Sequence, residues 1–220
     1  MRNKANASAL AVAVIVTTMA SSDALASHFR GAALTPSVSA DGILTIDSSS
    51  FWRQDKLATT CFFPHGCTES STFVRGGGLT LTSTSSTVVS QTQDLTDTRR
   101  TETTERYTFD ISSGGAGLYD IGWSGSSWTG GIPNARGSYG TTARIFWDGE
   151  SASTPIQFNL NNIQQEVGRN APYSANLGAV SASGVSLSYA ETLSRGISSQ
   201  PAGYSISSSG NLEITDAGTS

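Results

Sequence analysis

The period of the apolar residues limits the fold of this 220-residue chain more than any other feature. Helical spacing is hard to find beyond residue 27, whereas alternation recurs. In "GILTID" (Gly42 to Asp47), Leu44 and Ile46 fall on one side and Ile43, Thr45 and Asp47 on the other. Extended chains turn successive side chains to opposite faces, so this pattern is a strand signal. Asp41-Gly42 just before it is a turn pair that tolerates positive φ, and "SFWRQ" (Ser50 to Gln54) prolongs the strand with an aromatic end.

Further short runs follow, each bounded by Gly, Ser or Pro: "RYTFDI" (Arg106 to Ile111), "GLYDIGWSG" (Gly117 to Gly125) and "TTARIFWDG" (Thr141 to Gly149). That spacing is what a β-sandwich produces. Between them, "GGGLTLTSTSSTVV" (Gly76 to Val89) is expected to open as a flexible hinge and then alternate Leu79 and Leu81 with Thr80 and Thr82. The Ser/Thr-rich stretch from Thr80 to Thr104 admits two readings, a low-complexity linker or edge strands built on Leu79, Leu81, Val88, Val89 and Leu95. A boundary is placed near residues 150–170. Beyond it, "ANLGAV", "VSLSYAE" and "GYSISSSGNLEI" (Gly203 to Ile214) read as a second β unit ending in a hairpin. That unit is shorter than the ~100 residues of an immunoglobulin-like sandwich. Either the chain is a fragment, or the last unit borrows a strand from a partner.

The start of the chain carries a different signal. Arg2 and Lys4 precede an uncharged run, Ala9 to Ala20, and Ala24-x-Ala26 follows. A basic, an apolar and a small-residue region in that order form a secretory signal peptide, and the run is shorter than the ~20 residues a transmembrane helix needs. The expected architecture is therefore all-β: a leader over 1–26, a sandwich over 27–155 and an immunoglobulin-like unit over 156–220. The expected location is secreted or at the cell surface, with no transmembrane segment in the mature chain. Removing Arg2, Lys4 and Asp23 takes 13 basic and 17 acidic residues to 11 and 16, a net charge of −5. Arg99-Arg100 lies among Asp94, Asp97, Glu102 and Glu105, a mixed-charge solvated face. No basic footprint for nucleic acid emerges.

Cys61 and Cys67 bracket "CFFPHGC". In an oxidising compartment they read as one short-loop disulfide; the rival reading takes Cys61, His65 and Cys67 as three soft metal ligands. At the new N-terminus, Ser27 precedes His28, which does not match an N-terminal histidine copper site, so Phe29 is expected to anchor the first strand while His28 and Arg30 face solvent.

Catalytic groups are sparse. His28 and His65 leave little room for a Ser-His-Asp arrangement. "GWSGS" is not Gly-x-Ser-x-Gly, and "SGGAGLYD" and "SASGVS" lack the Lys-Ser/Thr of a phosphate cradle. The carboxylate pairs Asp94/Asp97 and Glu102/Glu105 suit glycoside hydrolysis by type, but their Thr-rich setting reads as solvated. No catalytic residue, metal or cofactor is assigned. Aromatic residues remain the best site candidates. Tyr119, Ile121 and Trp123 share one face, with Trp128 and Trp147 nearby. Turned inward they are core; turned outward, Trp128, Trp123, Tyr119 and Trp147 make a ligand platform able to stack on a sugar ring.

"SHFRGAAL" after a cleavage motif, "SFWRQ" and "RYTFDISSGGAGLYDIGWSGSSW" together resemble a group of secreted bacterial surface proteins whose mature chains begin Ser-His-Phe-Arg. Those relatives often carry a Cys pair where this chain has Ser126-Ser127. "NAP" (Asn170 to Pro172) and "QPAGYSISSSGNLEI" resemble an immunoglobulin domain related to cadherin-like repeats. The resemblance implies a surface location and adhesion to other surface proteins or glycans. Cadherin-like calcium segments carry Asp-x-Asp-Gly-Asp; the matching "AVSASGVSLSY" has no carboxylate. A non-catalytic adhesion or structural module is thus the first expectation, a carbohydrate-binding module the second and a secreted hydrolase the third.

Overall fold

A computed structural model describes residues 29–53, 61–62, 66–67, 70–94, 100–126, 135–153, 156–157, 172–181, 186–191, 193, 195–200 and 203–215. The expected leader, His28, His65 and Trp128 lie outside the described residues, as do the Cys61 and Cys67 side chains. Among the described residues there is no helix, and every strand pairing is antiparallel. The fold is all-β and sandwich-like.

One sheet has four strands: β1 (Phe29–Val38), β2 (Ile43–Arg53), β8 (Arg100–Asp110) and β7 (Thr87–Asp94), in that spatial order. The facing sheet runs β14 (Arg195–Ile197), β10 (Ala135–Trp147), β9 (Gly117–Ser126), β5 (Ser70–Gly76) and β6 (Leu79–Ser83). A short β3–β4 hairpin (Cys61–Phe62 and Gly66–Cys67) sets Cys61 opposite Cys67 in the backbone register. Further on, β11 (Ile156–Gln157) pairs with β13 (Val180–Ser181). A three-stranded sheet orders β12 (Tyr173–Asn176), β16 (Asn211–Ile214) and β15 (Tyr204–Ile206). The expected 203–214 hairpin is that β15–β16 pair, with Ile206 opposite Leu212. Strand β14 comes from the expected second unit, yet it pairs along β10 of the first, Gly140 facing Arg195.

Local chemistry explains the turns. Gly42 takes φ +76° between β1 and β2, its N–H donating to the Ser39 carbonyl at 3.0 Å. A Cβ there would meet Ser112 Cα at 2.7 Å, so glycine is required twice over. The expected hinge at Gly76–Gly78 is instead a tight hairpin. Gly77 and Gly78 both have positive φ (+56° and +83°) and join β5 to β6 with Gly76 opposite Leu79. Two consecutive positive-φ residues match the twist of the flanking strands. The described part of the Ser/Thr-rich stretch forms β6, β7 and the start of β8, so it is strand and not a linker.

Alternation decides the core. Leu44 and Ile46 of β2, Tyr107 and Phe109 of β8, Val74 of β5, Tyr119, Ile121 and Trp123 of β9, and Ile145 and Trp147 of β10 all point between the sheets, each at most 6% exposed. Phe29 anchors β1 as expected, stacking on Tyr139 with ring centroids 3.9 Å apart and meeting Trp52 edge-on at 5.4 Å.

Candidate functional site

Three of the four residues expected to offer a ligand platform are interior. Tyr119, Trp123 and Trp147 are 0%, 1% and 2% exposed. Trp123 packs on Tyr139 at 5.3 Å and on Phe29 at 5.6 Å; Tyr119 lies 6.4 Å from Trp147. All three are enclosed in the core cluster, so for them the platform reading gives way to core packing. The physical reason is parity: they share the strand face that turns toward the second sheet. Trp128 lies outside the described residues.

The opposite parity carries the exposed chemistry. On the outer face of the five-stranded sheet, β9 presents Leu118, Asp120 and Gly122, and β10 places Phe146, Arg144 and Thr142 directly across from them. From β5, Phe73 stands opposite Gly122 and Arg75 opposite Asp120. Phe73 lies over the glycine so closely that a Cβ on Gly122 would sit 2.0 Å from its Cε1. A glycine inside a strand often marks such a close approach. One edge of the ring is thus seated on backbone, while the side chain as a whole stays 40% exposed. Beside it the Arg144 Nε donates to Asp120 Oδ1, both side chains more than half exposed. Phe73, Asp120, Ile121, Thr142, Ala143 and Arg144 bound a shallow hollow of about 440 Å³. Sequence reasoning missed this site because it followed the aromatic row and not its complement. The signal that could have found it is Gly122, isolated in a strand and two residues from Asp120.

A second departure lies between the sheets. Glu105, expected to be solvated, is fully buried. On β8 it shares the inward face with Thr101, Thr103, Tyr107 and Phe109, while Glu102, Thr104 and Arg106 turn the other way. The carboxylate accepts from Ser86 Oγ at 2.6 Å, and Ser48 stands opposite it on β2. Around it the interior is rich in hydroxyls: Ser48, Ser50, Ser70, Thr72, Thr101 and Thr103 are all 1% exposed or less. Trp52 Nε1 donates to Ser50 Oγ at 2.7 Å, and Ser50 Oγ donates to the Thr103 carbonyl at 3.3 Å. Tyr107 spans the two sheets. Its hydroxyl accepts from Trp123 Nε1 at 3.3 Å and meets Ser70 Oγ at 3.2 Å. Burial, followed by the nearby Glu105 charge, holds the Tyr107 phenol above its ordinary pKa. The Ser48, Thr72 and Thr101 hydroxyls have no hydrogen-bond partner among the described residues, so the arrangement of the layers is fixed by the Trp52–Ser50–Thr103 and Trp123–Tyr107–Ser70 bonds and not by the whole hydroxyl set. Among the described residues no group of three or more His, Cys, Asp or Glu side chains is placed to hold a metal ion, and no helix is long and apolar enough to cross a membrane.

No family model matches the chain, and neither a curated protein nor a solved structure matches it.

Proposed function

We propose that the protein is an exported, non-catalytic β-sandwich module of the cell surface or extracellular space that works by adhesion or structural contact. The observation carrying this reading is the open outer face of the five-stranded sheet. Phe73, Leu118 and Phe146 are 40%, 55% and 56% exposed, and all three stand on that one face around the Asp120–Arg144 pair. Exposed apolar side chains scattered singly need no explanation, but Leu118 and Phe146, directly paired across β9 and β10, make a contiguous patch of the kind that marks an interaction surface. The leader pattern from Arg2 to Ala26 supports export, and the resemblance of "SHFRGAAL" and its companion motifs supports a surface setting. In that compartment Cys61 and Cys67, opposed in the β3–β4 register, would close as a disulfide.

The test has two arms. N-terminal sequencing of the exported chain should begin at Ser27. Fluorescently labelled exported protein should bind intact cells or matrix, and a Leu118→Asp/Phe146→Asp variant of unchanged fold should bind less. Export without any surface binding would overturn the adhesion reading. A carbohydrate-binding module is the second reading, favoured by one specific arrangement: the Phe73 ring held over Gly122 beside exposed hydrogen-bonding side chains.

A further inference from the structure

We infer that the outer face of the five-stranded sheet takes a polysaccharide chain, with Phe73 as the stacking ring and Asp120, Thr142 and Arg144 as the polar contacts. The inference rests on the reading of this face as the protein's contact surface and names what it contacts.

Three features point to a sugar. First, the Phe73 ring is held against the Gly122 backbone, where a Cβ would come within 2.0 Å of Cε1 and 2.2 Å of Cζ. With that edge seated, the exposed side of a positioned ring is what a ligand meets. An aromatic face is suited to the apolar C–H face of a pyranose, as it is to other positively edged partners. Second, donors and acceptors stand within the same hollow: the Asp120 carboxylate, the Arg144 guanidinium and the Thr142 hydroxyl. A sugar ring has this same division, an apolar face with a rim of hydroxyls that both donate and accept. Vicinal hydroxyls can donate to Asp120 and accept from Arg144 at once, because the two side chains are already aligned by their mutual hydrogen bond. Charge-assisted bonds of this type are the stronger ones. Third, the site is a shallow, open hollow on a sheet face, not an enclosed cleft. A hydrated polyol is at home on such a site with one side in solvent.

The face also sets the length of the ligand. Phe73 is level with Gly122 on one side of β9, and Phe146 is level with Leu118 on the other. Four residues along a strand and two strand spacings across place these two positions roughly 17 Å apart. A single ring cannot touch both; a chain of several linked rings can. The Asp120–Arg144 pair lies between them on the same face. An extended polysaccharide crossing the sheet obliquely would therefore meet ring, polar pair and ring in sequence.

The experiment uses the exported chain and three soluble polymers: a glucan, a galactan and a polyuronate. Affinity electrophoresis finds the one retained, and calorimetry then follows its oligosaccharides from the monosaccharide to the hexasaccharide. The expected result is retention of at least one polymer, with affinity rising along the length series. Phe73→Ala should weaken binding roughly tenfold or more. Phe146→Ala should weaken the long oligosaccharides and leave the short ones unchanged. Arg144→Ala, an exposed position, should weaken binding without moving the thermal midpoint, so its effect does not depend on folding. No retention of any polymer overturns the inference, as does retention that Phe73→Ala and Arg144→Ala both leave intact. If no polymer is retained while cells are still bound through Leu118 and Phe146, the sugar fails and the contact surface stands. If neither is bound, both readings fail together.

Discussion

Replacing Tyr107 by Phe tests whether the two sheets are joined by hydrogen bonds as well as by apolar contact. Tyr107 comes from the four-stranded sheet; Trp123 and Ser70, which meet its hydroxyl at 3.3 and 3.2 Å, come from the other. All three side chains are 1% exposed or less, so no solvent reaches the hydroxyl to take its place. The substitution keeps the ring and its packing. It removes the acceptor of the Trp123 N–H and the partner of Ser70 Oγ. Leaving a buried donor without its acceptor costs about 1–3 kcal/mol, so a loss near 2 kcal/mol is expected. For a chain of this size that lowers the thermal midpoint by about 4–8 °C. Urea unfolding followed by tryptophan fluorescence reads the change, because Trp123 reports on the site itself. Ser70→Ala completes a double-mutant cycle, in which the pair should couple by about 0.5–1 kcal/mol. A Tyr107→Phe cost below about 0.5 kcal/mol with strict additivity to Ser70→Ala would refute the bridge, since a buried partner cannot be lost that cheaply.

Titration offers a second view of the same hydroxyl. A phenol whose folded pKa is raised contributes stability that is full below the unfolded value, about 10. That stability is lost as pH rises through the folded value. Tyr107 is raised chiefly by burial, and burial also raises Tyr119, Tyr173 and Tyr204. Stability should therefore fall above about pH 10, and Tyr107→Phe should shrink that fall without abolishing it. On the acid side the sign reverses. Hydrogen bonds from Ser112 hold Asp110 below its ordinary range, and those from the Ser151 and Glu150 amides do the same for Asp148. Their turn contacts are present above about pH 4 and lost as pH falls through the lowered values, so amide exchange at Ser112, Glu150 and Ser151 should speed up there. Glu105→Ala removes the buried acceptor of the Ser86 hydroxyl and is expected to cost about 1.5–3 kcal/mol in chemical denaturation. Glu105→Gln should cost much less, because an amide oxygen can still accept from Ser86. An alanine as harmless as the glutamine would show that the interior does not depend on this side chain. Reducing the proposed Cys61–Cys67 disulfide should lower stability by about 2–3 kcal/mol, and a thermal scan insensitive to reductant would remove it from the account.

The all-β class was legible in the alternation, and so were the outlines of several elements. Leu44 and Ile46 do share a buried face, and Asp41-Gly42 does make the turn ahead of them. Apolar and polar residues there differ enough that only one face can be inward. Thr101 to Arg106 carries no such contrast. Thr and Glu occupy both faces, and local chemistry alone makes Glu105 and Glu102 equivalent. Only the register of β8 against β2, with Tyr107 and Phe109 locked inward beside Ile46 and Leu44, sends Glu105 inside. The same logic governed the site. The sequence by itself determined that Tyr119 and Trp123 lie on one strand face and Asp120 and Gly122 on the other. It did not determine which face meets the second sheet, nor that Phe73, from a strand some fifty residues earlier, would come to rest over Gly122. Alternation is local and follows from backbone geometry. Which side is buried, and what lies across from it, depends on long-range pairing, and that was decided only when the two sheets closed on each other.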